Sequence, residues 1–259
     1  HWSWKAPMND DASLRMVRLA LEGRGVADMA RRRSLRASAT DDGYLVHCLL
    51  VELFGDLAPR PFALAGTRGR ALIVLGYTAT TANEMQRHAD TFAAPNIHRP
   101  CQWEQLAVKA MPRVWPAGTR FGFAVRVCPV VRMSGEGPTH RKGAEVDAFL
   151  ATAWKTDPSE PPDRETVYRE WLRAALERRG GARLVAARLT GFRIARLLRR
   201  TQGSERRAEL RERPDAHFSG EIEVADSAAF AALLRAGIGR HRSFGFGMLL
   251  LHAAGRTAC

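Results

Sequence analysis

Three observations predict an α+β fold made of two similar halves in tandem. Apolar residues switch repeatedly between a spacing of two, the period of a strand, and a spacing of three to four, the period of a helix. The switches give the order β-α-β-β-α-β over residues 13–132 and repeat it less neatly over 164–251. At 259 residues the chain has material for one large core or two small ones, and no apolar run reaches the roughly 18 residues of a membrane span. This order is the ferredoxin-like pattern, also found in RNA-recognition domains. Residues 1–133 and 134–259 are therefore expected to be two ferredoxin-like domains, the second carrying a glycine-rich loop at 237–247.

The elements follow in chain order. SLRMVRLAL (13–21) reads as the first strand. GRGVADMARRRSLRAS (23–38) is basic and too polar on every side to be core. In DDGYLVHCLLVELFG (41–55), Leu45, Val46, Leu49 and Leu53 recur at helical spacing, Asp41 or Asp42 caps the start, and Gly55 stops the helix. RPFALAGTRGRALIVLGYT (60–78) is two strands around a turn at 66–69, and TTANEMQRHADTF (80–92) is a helix capped by Thr80 or Thr81. GTRFGFAVRVCPVVR (118–132) alternates Phe121, Phe123, Val125 and Val127 with Arg120, Gly122, Ala124 and Arg126, and should close the first half as its last strand. Turn-rich stretches then flank a short helix at 144–154. The second half reads as a helix at 164–180, a strand at 182–200, a charged loop at 201–215 and a strand at 217–224. A helix capped by Asp226 follows at 226–236, with a final strand at 246–251.

The charge is far from ordinary, +13 formally with a pI near 10.8. Lysine occurs only at Lys5, Lys109, Lys142 and Lys155, so arginine carries nearly all of the 40 basic side chains. A guanidinium matches phosphate oxygens two at a time and stacks on bases, which makes nucleic acid the leading partner. A GC-rich coding bias, which would enrich arginine and alanine together, is the plain alternative for composition alone. Cys48, Cys101, Cys128 and Cys259 are widely separated without a C-x-x-C pair, which suggests a reduced, cytoplasmic chain without a zinc ribbon or disulfide framework. HWSWKAPMNDD lacks the charged end and apolar stretch of a secretion signal.

GIGRHRSFGFGMLLL (237–251) lies after a helix and before a strand, the reverse of the order in a P-loop or a dinucleotide fingerprint. A helix C-cap explains Gly237 but not the other three glycines. Gly239, Gly245 and Gly247 would let a ligand backbone or another chain segment come close, with Arg240, His241 and Arg242 as donors to a bound phosphate. This motif resembles the glycine-rich loop of the CRISPR-associated repeat-RNA endoribonucleases of the RAMP superfamily, nearest to the type I-E branch or its type IV counterpart. LFGDLAPRPFAL (53–64), GFAVRVCPVVR (122–132) and EVDAFLA (145–151) are similar to further segments of that family, so the resemblance spans most of 41–251.

The resemblance implies a metal-independent, cofactor-free cut at the 3′ side of a CRISPR repeat stem-loop, with the crRNA product kept bound. Its partners would be that stem-loop and other effector-complex subunits. Tyr44-Leu45-Val46-His47 is similar to the family's Tyr-x-x-His pair, and Arg242 stands where some members carry a lysine near the scissile phosphate. His47 is then the acid or base, Tyr44 orients or hydrogen-bonds the phosphate, and Arg242 stabilises its charge, since a guanidinium does not readily serve as a base. A half-buried helix residue is the plain alternative for His47. A rival arrangement surrounds the phosphate with arginines alone, two drawn from Arg24, Arg31, Arg32, Arg33 and Arg36 together with Arg242. RNA contacts are expected from Arg24, Arg33, Arg36, Gly239, Arg240 and Ser243, and from Arg199, Arg200, Arg206 and Arg207 on the stem. Alternation along the loop points His241 away from Arg242 and makes it the poorer candidate. His88, His98 and His140 lack partners at metal-ligand spacing. A catalytically slow or inactive hairpin-binding subunit is the main alternative function, and a ribosomal or RNA-modification protein of the same fold is a third.

Overall fold

The computed structural model describes residues 13–35, 40–157, 159–200 and 208–255, apart from the side chains at 198–200 and 208–209. Its first sheet holds β1 (Arg15–Glu22), β2 (Phe62–Arg68), β3 (Ala71–Thr78) and β4 (Ala107–Ala110) in the order β2-β3-β1-β4, every neighbour antiparallel. The helices α2 (Asp42–Phe54) and α3 (Ala82–Phe92) connect the strands as the ferredoxin-like pattern requires. Both starts are capped as expected: Asp41 accepts from Gly43 N–H at 3.0 Å, and Thr81 forms a capping box with Glu84. The stretch expected to be polar on every side is instead α1 (Gly23–Arg32). Val26, Met29 and Ala30 are buried in the core beneath α2, with Arg31 and Arg32 on the exposed side. Three consecutive arginines hid a three-to-four spacing that was present.

The strand expected to end the first half opens the second. β5 (Arg120–Val127) pairs with β9 (Ala208–Val224) and β10 (Leu250–Ala253), and β8 (Ala182–Arg200) pairs with β9, in the order β10-β5-β9-β8. This repeats the first sheet's arrangement, so the chain passes between sheets at 110–120 rather than at 133/134. Here α6 (Arg164–Glu177) and α7 (Ser227–Ala236) are the connecting helices, capped by Asp163 and Asp226. Between β5 and α6, β6 (Val130–Arg132) pairs with β7 (Glu145–Asp147), and α5 (Ala148–Ala153) follows. Part of the helix expected at 144–154 is thus strand. α4 (Pro95–His98) is a single turn. The final strand sits at 250–253, with 246–249 buried but unpaired in a ladder.

The charged segment expected to be a loop is strand from 208 onward, and 201–207 lie outside the described residues. β8 and β9 pair from Ala182↔Val224 to Arg200↔Ala208, with register shifts between Leu184 and Ala186 and between Leu189 and Gly191, but β5 covers β9 only between Ala216 and Glu223. Beyond that point the two strands form a ribbon with alternating faces. One face presents Ala195, Leu197, Arg211 and Arg213 inward; the other exposes Ile194 and Leu210. Tyr77 ties the first sheet to the segment leading into β10, its hydroxyl donating to the Leu249 carbonyl at 2.9 Å.

Candidate RNA-cleavage site

The two ends of the glycine-rich loop touch. Ile238 N–H donates to the Gly247 carbonyl at 2.8 Å, and Gly247 has φ 78°. A Cβ there would stand 2.1 Å from the Ile238 carbonyl oxygen, so only glycine permits the closure. Between these ends a 3-10 turn at Arg242–Phe244 meets the first turn of α2. A Cβ at Gly43 would lie 2.1 Å from the Phe244 carbonyl oxygen. Both glycines let one chain segment approach another, the second of the two uses expected for such residues.

A buried ion network locks this contact. Asp41, besides capping α2, accepts from Arg126 Nη2 at 2.7 Å and Arg193 Nη2 at 3.2 Å. Asp215, fully buried, accepts from Arg126 Nε and Nη2, each at 2.8 Å, and from Arg193 Nε at 2.7 Å. Burial works to raise the Asp215 carboxyl, but hydrogen bonds from His217 and Arg126 overcome it and hold the group well below the usual carboxylate range. The Arg126 guanidinium lies 3.9 Å from the centre of the Phe246 ring, and its carbonyl accepts from Gly247 N–H at 2.6 Å. Four elements, α2, β5, β8 and β9, are thereby tied to one loop.

α2, the inner face of the ribbon and the glycine loop enclose a cleft of about 540 Å³. Tyr44 and His47 face it from α2, Arg33 from the end of α1, Arg211 and Arg213 from β9, and His241 from the loop. The His47 and His241 rings flank Phe244, with centroids 5.2 and 6.1 Å from it, and Tyr44 packs on the same ring at 5.4 Å. Burial, aided by the positive charge of Arg60, lowers His47 to a pKa of about 4, so its imidazole is neutral at neutral pH. His241 takes a left-handed φ of 59°, uncommon for a residue with a side chain. Its Nε2 is 3.5 Å from Glu145, which also receives Arg240 at 2.5 Å and Arg213 at 3.6 Å. The nearby His241 ring is the main cause that brings Glu145 down to about 2, against the opposing effect of burial.

Of the residues expected at the site, His47, Tyr44 and Arg33 come together here, Arg33 paired with Glu52. Arg242 does not line this cleft. Its Nη1 donates to the Ala236 carbonyl at 2.5 Å on the other side of the loop, where Ser243 and Gly239 also lie, Gly239 against Trp171. The left-handed turn at His241 reverses the expected order, sending His241 inward and Arg242 outward. Arg24 is exposed on α1 and does not line the cleft. Arg36, Arg206 and Arg207 lie outside the described residues, and Arg199 and Arg200 are in β8 with undescribed side chains. His98 bonds Asp90 at 2.7 Å and His140 stacks on Trp154, both away from the cleft. Sequence reasoning ranked His241 below Arg242, missed Glu145, and gave Arg211 and Arg213 no place in the cleft. The alternation of Arg211 and Arg213 was the available signal, hidden in a stretch read as loop.

A family model described as "CRISPR associated protein" matches residues 16–253. No curated protein matches the chain by sequence. Among solved structures, the CRISPR endoribonuclease Cse3 bound to a 19-nt RNA is similar at 22% identity and a TM-score of 0.61, over 92% of this chain and 99% of that one. Thermus thermophilus Cse3 bound to an RNA representing a pre-cleavage complex is similar at 21% identity and TM-score 0.59, over 93% and 99%. Cas6e from Escherichia coli K-12 follows at 16% identity and TM-score 0.58, over 92% and 99%. At these identities the likeness shows a shared fold.

Proposed function

The chain belongs to the CRISPR-associated protein family, and we propose that within it the protein is a metal-independent endoribonuclease that binds a CRISPR repeat stem-loop and cleaves precursor crRNA. One observation carries this reading: a neutral imidazole, His47, faces a cleft walled by arginines, with a second imidazole across the same aromatic ring. RNA supplies its own nucleophile. The 2′-oxygen attacks the adjacent phosphorus as its proton passes to His47, the bond from phosphorus to the 5′-oxygen breaks, and that oxygen takes a proton. His241, held by Glu145, is the group placed to supply the second proton. Arg211, Arg213 and Arg33 offset the charge that builds on the phosphoryl oxygens. The products are a 2′,3′-cyclic phosphate and a 5′-hydroxyl. Tyr44, packed on Phe244, shapes the wall beside His47 and orients the phosphate. The similar Cse3 structures hold RNA, one of them as a pre-cleavage complex, which supports the same substrate class here.

Incubation with repeat RNA tests the chemistry. Cleavage should persist in excess EDTA and stop when the nucleotide preceding the scissile phosphate is 2′-deoxy. Loss of cutting in EDTA would overturn the metal-free mechanism. Tight binding with no product from either RNA would leave a hairpin-binding subunit as the better reading.

The ribbon is the proposed grip on the stem, because A-form RNA offers mainly phosphates and shape. Replacing Arg199, Arg200, Arg206 and Arg207 together by Ala should weaken stem-loop binding. It should also flatten the log-log salt dependence by roughly 0.7–0.9 for each phosphate no longer neutralised. An unchanged slope would move the stem elsewhere.

A further inference from the structure

Across the glycine loop from His47 lies a second concave surface of about 860 Å³, whose arginines take no part in the proposed cleavage chemistry. Arg132 reaches it from β6, Arg178 and Arg179 from the end of α6, and Arg240 and Arg242 from the loop. Its one carboxylate, Glu145, is already engaged by Arg240, Arg213 and His241. Among the described residues, no carboxylate pairs with Arg132, Arg178, Arg179 or Arg242. Arg179 bears on Arg242: burial and the charge of Arg179 both disfavour protonated Arg242. The fold nevertheless pins Arg242 there through the Ala236 carbonyl. Converging cations without a protein counter-charge raise the local potential and are relieved by a bound anion.

The two surfaces are continuous, since Glu145, His241 and Phe244 line both. A strand leaving the His47 cleft over His241 enters the arginine surface directly. Its volume is that of a pocket for one small ligand, which suits the phosphates of a single strand rather than a duplex. We propose that this surface is a second RNA subsite, which holds the single-stranded nucleotides flanking the stem-loop. The proposal rests on the endoribonuclease reading for the identity of the RNA, though not for the anion chemistry.

Two sets of labelled RNA, applied to the wild type and to an Arg132→Ala/Arg178→Ala/Arg179→Ala variant, test it. One is an unstructured octamer; the other is the repeat stem-loop, bare or extended by a single strand at its 5′ or 3′ end. The variant should bind the octamer at least tenfold more weakly, with a salt slope reduced by about 0.7 for each phosphate it no longer neutralises. It should bind the bare stem-loop as the wild type does, and forfeit the extra affinity conferred by one of the extensions. Which extension matters identifies the flank. Arg178→Glu alone, at the exposed end of α6, should weaken octamer binding further than Arg178→Ala does, and keeps the test valid if the triple variant folds poorly. Unchanged octamer binding together with an undiminished benefit from both extensions would overturn the subsite. Should the wild type ignore the stem-loop while the variant fails to bind the octamer, the subsite stands and the endoribonuclease reading falls.

Discussion

A His47→Ala variant should bind the repeat stem-loop with wild-type affinity and cut it at least about 10²-fold more slowly, the loss expected when a proton-transfer group is removed. The reason is geometric as much as chemical. α2 turns His47 into the arginine-walled cleft, and the Phe244 ring sets its distance from the loop. The pH dependence carries a sign. Burial and Arg60 disfavour the imidazolium, so the basic form survives to lower pH than in a free histidine, whose pKa is near 6.5. The acid limb of kcat/KM for the free enzyme should therefore fall towards pH 4. Stability follows the same direction: the unfolded chain takes up this proton between about 6.5 and 4, so the histidine's burial weighs increasingly against the fold as pH drops through that window. Wild-type cutting by His47→Ala, with a slow Arg33→Ala variant, would favour the arginine-only account.

Arg126→Ala should have the largest effect on the fold, destabilising it by about 3–5 kcal/mol, the range for removing one partner of a buried ion pair. Asp215 is fully buried and Asp41 nearly so, and both lose a guanidinium partner when Arg126 goes. Arg193 remains beside both carboxylates but is largely exposed itself. The change also removes the cation under Phe246 and loosens the loop that bears His241. Thermal unfolding should shift down by roughly 6–20 °C for a chain of this size. A shift below about 2 °C would show that Arg193 alone satisfies the network.

What could be read from the chain and what could not divide along physical lines. Helices α2, α3 and α7 were legible because periodicity and caps at Asp41, Thr81 and Asp226 are local, set by neighbours within a turn or two. The same local signals put Tyr44 and His47 on one helix, but only the resemblance to the family's Tyr-x-x-His pair singled them out. α1 and the ribbon were not legible, because runs of arginine mask apolar spacing and a ribbon outside its sheet needs little apolar alternation. Nor could alternation tell which sheet β5 would join, since a strand reads the same whichever partners accept its hydrogen bonds.

The chain by itself determined the α+β class, the helix that carries Tyr44 and His47, and a glycine loop that had to bend where no Cβ fits. Tertiary structure alone decided which loop side chain faces His47. A left-handed residue at His241 breaks the alternation, and Glu145, nearly a hundred residues away, is brought by β7 to hold the imidazole there. That placement depends on strand pairing and close packing between distant segments, and no window of neighbouring residues carries it.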